Sequence, residues 1–288
     1  MNSPSPLEPY SPSREAWRMF RRNHTAVAGL LLLLLIMGVT LLGPSLYPID
    51  PFEMVWAPLS PPGEEGWVLG TDQLGRDILA GLIHGGKATL LVGVTAALIS
   101  VFIGVTIGAL AGYYGGWVDE VLMRITEFFQ VLPALLLAMV LVMLFSPTLT
   151  TITIAIGVVS WTAEARLARA EFLRIRELDF VKAARTISSS DARIIWRVIL
   201  PNASPPLIVY AALITGVAIL FEAGLSFLGL GDPNVMSWGL MIGSGRQYFL
   251  DAWWVVTFPG IAIFLTVLSI SLIGDGLNDA LNPKLRER

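Results

Sequence analysis

The 288-residue chain carries few residues that could do covalent chemistry. It has no cysteine, which excludes disulfides, thiolate metal sites and cysteine nucleophiles at once. Its two histidines, His24 and His84, fall near opposite ends of the first two apolar stretches and lack ligating neighbours, so no metal site or serine–histidine–acid triad forms around them. No G-x-x-x-x-G-K-[ST] phosphate loop is present, which leaves no evident means of holding a nucleotide. One carboxylate, Glu222, stands inside a long apolar run. An ionisable group at that position is a functional candidate by default, either pairing with a neighbouring helix or taking part in moving a solute. These residues do not make an enzyme.

The other notable concentration is the polar interruption from Glu164 to Pro201, which carries eight basic residues between two apolar runs. Phe180 to Ile187 has helix-forming composition, with Phe180, Ala183, Ala184 and Ile187 on one face and Lys182 and Arg185 off it. Ser188-Ser189-Ser190 breaks that helix, and Ser190 can cap a second one that starts at Asp191, runs through Ile194, Ile195 and Val198, and stops before Leu200-Pro201. Two short helices joined by a tight turn form a rigid knob, which can move as one body when a receptor closes on it. A basic amphipathic segment lying on lipid accounts for Arg193 and Arg197, but not for the alanine face or the turn.

These groups must be positioned by a membrane bundle. The hydrophobic fraction is 55% and only 14% of residues are charged. Charge-poor windows of about 20 residues, the length that spans a bilayer, occur at about Ala26–Leu46, Ala88–Tyr113, Val121–Phe145, Leu149–Trp161 (extending toward Ala165), Leu207–Leu228 and Trp253–Ile273. They are continuous rather than alternating, which excludes a β-barrel and predicts an all-α bundle of six transmembrane helices. With the N-terminus inside, 16 Lys and Arg face the cytoplasm and only Arg76, Lys87 and Arg246 lie outside, so both termini are expected in the cytoplasm. The first span is read as an anchor rather than a cleaved signal, because it is long and about 24 mostly polar residues precede it.

The expected organisation is a cytoplasmic tail over 1–24, a first span over 25–46, and an extracytoplasmic segment over 47–87. A core of five further spans follows over 88–276, with a cytoplasmic loop at about 164–203, and a tail over 277–288 ends the chain. In the outer segment, Thr71 or Asp72 is placed to cap an amphipathic interfacial helix carrying Leu74, Ile78 and Leu82. In the second span, Ala97, Val101, Gly104, Gly108 and Gly112 form a small-residue seam for close helix packing. The third span opens with Asp119, Glu120, Arg124 and Glu127, where Arg124 is four residues from Glu120 and three from Glu127 and so spaced for ion pairing along one face, and Pro133 predicts a kink. After the fifth span, Gly229-Leu230-Gly231-Asp232-Pro233 breaks the helix ahead of an outer loop that reaches Asp251.

The spacing Lys182-Ala183-Ala184, Ser188, Val198, Leu200-Pro201 resembles the E-A-A-x3-G-x9-I-x-L-P loop of ATP-binding-cassette (ABC) importer permeases. Nearly the whole chain resembles the C-type permease of the dipeptide/oligopeptide/nickel import family. The matching segments are Leu69-Gly70-Thr71-Asp72, Gly75-Arg76-Asp77, Glu222 through Gly231, Ser237-Trp238-Gly239, Phe258-Pro259-Gly260 and Gly274-Asp275-Gly276. Lys182, Ser188 and Val198 stand where the motif has glutamate, glycine and isoleucine. Lysine reverses a charge, and serine is strained if the turn needs a positive φ.

The resemblance implies a type I importer-like permease in the bacterial inner membrane, paired with a homologous permease and working by alternating access. Two cytoplasmic ATPases would hold ATP and Mg and dock on Phe180, Lys182, Ala183, Ala184, Ser188, Asp191, Val198, Leu200 and Pro201. An extracytoplasmic solute-binding protein would meet the outer surface, with Asp72, Arg76, Asp77 and Trp238 as contact candidates. This chain itself would hold no cofactor and no metal, and no nucleic acid is implied. The implied cargo is a dipeptide or oligopeptide, with nickel or another small solute as the alternative. An ion-coupled carrier using Glu222, or a scaffold for a membrane complex, are the readings of different class.

Overall fold

The computed structural model describes residues 12–281. The lead before residue 12 and the tail after residue 281, including Lys284, Arg286 and Arg288 of the orientation count, lie outside the described residues. A short helix α1 (Pro12–Arg22) precedes α2 (His24–Leu46), whose first turn is capped by the Asn23 side chain accepting from the Ala26 amide. Helix α2 is apolar on all sides, and Leu31, Leu34, Leu35, Leu41 and Leu42 remain exposed, as suits a surface solvated by lipid. Its first half packs closely on α12 (Trp254–Leu281), where Gly29 faces Leu272 and Ser269.

Among the described residues, four helical stretches are long and apolar enough to cross a membrane: His24–Leu46, Ile78–Tyr114, Asp191–Leu230 and Trp254–Leu281. Helices α4 (Gly116–Val131) and α5 (Ala134–Phe145) make a further span bent by 85°. The break falls where Leu132 and Pro133 turn extended, because proline lacks the amide that would continue the ladder and forces its predecessor out of the helical region. Helix α6 (Leu149–Ser160) is apolar but only 12 residues long, and Trp161 keeps right-handed helical angles into α7 (Thr162–Arg176).

Helix α3 (Ile78–Tyr114) is the central post, 37 residues and therefore about 55 Å long. Its small-residue seam meets α7, and α3 with α7 is the most extensive helix pairing among the described residues. A methyl group added at Gly104, Gly108 or Gly112 would fall 2.6 Å from Glu164 Cβ, 2.2 Å from the Ala165 carbonyl oxygen or 2.6 Å from Phe172 Cβ. The seam is thus a backbone-to-backbone contact, the way helices associate when lipid supplies no hydrophobic drive between them.

Three expectations are corrected here. The segment from Glu164 to Arg176 is not a loop but helix α7 laid along α3, and Glu164, Ala168, Phe172 and Ile175 are buried at the spacing of one helical face. The outer segment holds no separate interfacial helix. Asp77, not Thr71 or Asp72, caps α3 by accepting from the Leu79 amide, so α3 begins at Ile78 and enters the membrane without a break. The second helix of the knob does not end at Pro201. A short α9 (Asp191–Arg193) widens into a π turn over Ile194–Ile199 and continues directly into α10 (Leu200–Leu225). Pro201 follows directly on the π turn, where the Leu200 amide already bonds five residues back to the Ile195 carbonyl, so the proline's missing amide falls where the regular ladder is already interrupted.

Candidate functional site

The cytoplasmic knob consists of α8 (Asp179–Thr186), a serine turn and the stretch from α9 into α10. Val181, Ile194 and Ile199 are fully buried in a cluster with Val105, Ala109, Phe172 and Ala203, which fixes the knob to α3, α7 and α10. Ala184 packs partly against that cluster, whereas Phe180, Lys182, Ala183, Ser188, Asp191 and Pro201 are exposed. Val198 and Leu200 are half-buried. The outward side therefore shows apolar groups, Leu178, Phe180, Ala183 and Ile187, of which Ile187 is 77% exposed. Uncovered apolar groups of this size on a rigid protrusion mark a contact surface.

Two side chains tie the knob to the spans, and neither was singled out from the sequence. The Tyr113 hydroxyl, at the cytoplasmic end of α3, donates to Asp191 Oδ1 at 2.6 Å, and the Arg185 guanidinium lies 5.1 Å above its ring. One residue of the central post thus touches both arms of the knob. Arg176 closes the same corner by donating to the Gly112 carbonyl at 2.8 Å. Asp119 does not pair along its own helix; it accepts two bonds from Arg169 at 2.5 and 2.6 Å, locking α4 to α7.

Ser188 adopts φ 59°, the left-handed conformation that glycine takes without a steric penalty. Its amide and that of Ser189 bond back to Arg185 and Ala184 and close the end of α8. Ser188→Gly is expected to relieve about 1–2 kcal/mol of left-handed strain, less about 0.5–1 kcal/mol for the extra freedom of the unfolded glycine. The net gain is roughly 0.5–1 kcal/mol, readable as about two- to fivefold slower amide hydrogen exchange across α8.

On the outer side, the segment before α3 folds into a compact set of turns. Asp72 Oδ1 accepts from the Leu74 and Arg76 amides at 2.7 and 2.9 Å, and burial holds its carboxyl above the ordinary range in spite of these bonds. Tyr47 donates to Asp77 Oδ2 at 2.7 Å; burial first, then this bond, push its hydroxyl up to about 12. Arg76 stacks over Phe52 with its guanidinium 5.0 Å from the ring. Asp72 and Arg76 remain partly exposed.

Asp77 and Trp238 are 2% exposed, which corrects their expected place on the outer contact surface. The physical reason is that the stretch from Ser237 to Gly245 is not a surface loop. It forms helix α11 (Trp238–Gly245), which inserts between α3 and α12. The Trp238 indole donates to the Leu82 carbonyl at 2.9 Å and its amide donates to Thr89 Oγ1 at 3.1 Å.

Glu222 anchors this inserted helix. It is 1% exposed, and its Oε1 accepts from Ser226 at 3.0 Å and from Ser237 at 2.8 Å. Ser237 in turn caps α11 by accepting from the Leu240 amide. A methyl group at Gly239 would lie 2.6 Å from Glu222 Oε2, so the Ser237-Trp238-Gly239 run supplies a hydroxyl, an anchor and an open space together. Just beyond, Gly229 at φ 89° ends the helix that began at α9. The geometry places Glu222 in a helix–helix joint.

Residues 104–287 match the family described as "Binding-protein-dependent transport system inner membrane component", and residues 11–62 match the N-terminal transmembrane domain of oligopeptide transport permease C. The chain is 42% identical to the di/tripeptide transport system permease protein DppC of Pseudomonas aeruginosa, over 99% of this chain and 96% of that protein. It is 40% identical to the dipeptide permease DppC of Bacillus subtilis, covering 95% and 86% of the two chains, and 38% identical to the glutathione permease GsiD of Pectobacterium atrosepticum, covering 96% and 92%. Its fold is similar to that of an inward-facing MetNI methionine ABC transporter, with a TM-score of 0.57 at 19% identity over 70% of this chain and 96% of that one. The knob, the close-packed post and the matches over nearly the full length agree: the chain belongs to the binding-protein-dependent transport system inner membrane component family, as a multi-pass permease subunit of an ABC importer and not itself an enzyme.

Proposed function

We propose that this chain forms, with a homologous permease, the pathway for dipeptides or short oligopeptides across a bacterial inner membrane. Two cytoplasmic ATPases holding ATP and Mg drive the pair, and an extracytoplasmic binding protein delivers the cargo. The observation that carries this reading is the knob: Phe180, Ala183 and Ile187 are uncovered on a protrusion whose other side is rigidly buried in the bundle. Lys182 is exposed beside that face, so docking rests on the apolar groups and on an acidic partner to Lys182 in the ATPase. Cycling of the ATPases would move the knob as one body and reorient the spans between inward-open and outward-open states. The dipeptide names of the relatives favour a peptide cargo, and the glutathione relative favours a pathway that accepts modified peptides as well.

The test is reconstitution into vesicles. Uptake of a labelled dipeptide is expected only with the homologous permease, both ATPases, the binding protein and ATP present. Accumulation by this chain alone would overturn the reading.

Tyr113→Phe refines it. Deleting the hydroxyl leaves the ring beneath Arg185 but frees Asp191, at about 1.5–3 kcal/mol for a hydrogen bond to a charged acceptor. Uptake per ATP hydrolysed is expected to fall severalfold while hydrolysis itself persists, a split measured by assaying both in the same vesicles.

A further inference from the structure

We propose that the cavity between α4 and α7 is a binding site for a small zwitterionic solute on its way to the cytoplasm, with Arg166 holding the solute's carboxylate. The cavity is about 670 Å³ and is lined by Thr126, Glu127 and Gln130 of α4 and by Ala163, Arg166 and Arg169 of α7. Ala165 meets Gly108 and Glu164 meets Gly104, so Arg166 stands six to ten residues, about 9–15 Å, above the cytoplasmic end of α3. Arg166, Gln130, Glu127 and Ala163 are exposed along this cleft, and a guanidinium is permanently charged, so Arg166 can take an anion there in place of water.

The charges around it are unequal in a way that selects a ligand. Arg169 is neutralised by its two bonds to Asp119. Arg166 donates only to the neutral Gln130 Oε1, at 3.0 Å, and makes no ion pair among the described residues. Its remaining donors match a carboxylate in the two-pronged geometry that arginine favours. Glu127 lies one turn below Gln130 on α4, about 4.5 Å along the axis. Its 3.5 Å pair with Arg124 is largely exposed on both sides and readily released. Opposite charges spaced this way on one cavity suit the two ends of a short peptide, whereas Glu127 repels the phosphate of an anionic lipid headgroup. This inference rests on the peptide reading above.

Because the chain has no cysteine, one introduced at Ala163 is the sole thiol of this subunit, and labelling is read on this subunit after the importer is separated into its chains. The experiment uses the assembled importer without nucleotide, a membrane-impermeant trimethylammonium methanethiosulfonate, and dialanine or its C-terminal amide as competitor. Ala163→Cys is expected to be labelled from the cytoplasmic side. Dialanine at about ten times its half-saturating concentration is expected to slow labelling about tenfold by occupancy, and the amide is not. Adding Arg166→Gln is expected to remove the protection.

Absence of labelling, equal protection by the amide, or protection that survives Arg166→Gln would each overturn the site. The comparison of acid with amide needs no Arg166 variant, so it stands even if that variant fails to assemble. Dialanine uptake by the unaltered importer without carboxylate-dependent protection sinks this inference alone. Absence of dialanine uptake sinks the cargo reading and the inference with it.

Discussion

Ala183→Trp is expected to abolish ATP-driven uptake while leaving the chain inserted and folded. Ala183 is exposed on α8 and makes no part of the buried cluster, so an indole there meets nothing within this subunit. It enlarges the small face between Phe180 and Ile187 through which a partner must approach. Overpacking a close contact costs about 1–3 kcal/mol or more, and in a docking patch that loss falls directly on affinity. Ala184 is the less discriminating position, because it packs against the buried cluster under the knob and a bulky group there also displaces the knob itself. The measurements are recovery of the ATPases with the permease in mild detergent and uptake in vesicles, with Ala183→Ser as the tolerated control. Undiminished uptake by Ala183→Trp would place the docking surface elsewhere.

The second large effect belongs to the post. Gly108→Leu is expected to prevent accumulation of folded chain, and even Gly108→Ala is expected to cost about 3 kcal/mol or more, the upper range for overpacking. A Cβ at Gly108 falls 2.2 Å from the Ala165 carbonyl oxygen, 2.7 Å from Ala168 Cβ and 2.8 Å from the Arg169 amide. Two of these three atoms are backbone and cannot rotate away, so α7 would have to move off α3, taking with it the Asp119–Arg169 lock and the buried side of the knob. Gly38 in α2 is the control: nothing lies within 4 Å of its would-be Cβ, and alanine there improves helix propensity. Thermal unfolding of the purified chain in detergent measures both. A Gly108→Ala protein as stable as the parent would show that the seam is looser than its geometry requires.

Much of this molecule was legible in local chemistry. The apolar windows marked the passages, because a bilayer requires continuous apolar length and satisfied backbone groups whatever the neighbours do. The glycine seam in α3 was legible because only small residues permit backbone contact between helices, although its partner α7 was not. Pro133 marked the break between α4 and α5, since a missing amide acts locally. The knob was legible in outline from helical spacing around the Ser188 turn, including the strain that its φ of 59° bears out.

What escaped depends on contacts between distant segments. Helix α7 read as a polar loop because it carries Arg166, Arg169, Arg174 and Arg176 on one side, while its apolar face is recognisable only once α3 lies against it. Helix α11 read as an outer loop because eight residues are too few to cross a membrane, and its burial depends on Glu222, Thr89 and Leu82 accepting its bonds. Tyr113 gave no signal, being an ordinary aromatic until folding brings Asp191 to it from 78 positions away.

Composition and spacing alone thus determined that this is a lipid-embedded helical bundle with a stiff cytoplasmic protrusion, because solvent and backbone geometry act on each segment separately. Which charges are neutralised and which are left free was decided only by the tertiary structure. Asp119 reaches Arg169 rather than its own helical neighbours, and Arg166 is left facing a cavity with Gln130 alone, since electrostatic pairing depends on distances that only the assembled bundle sets.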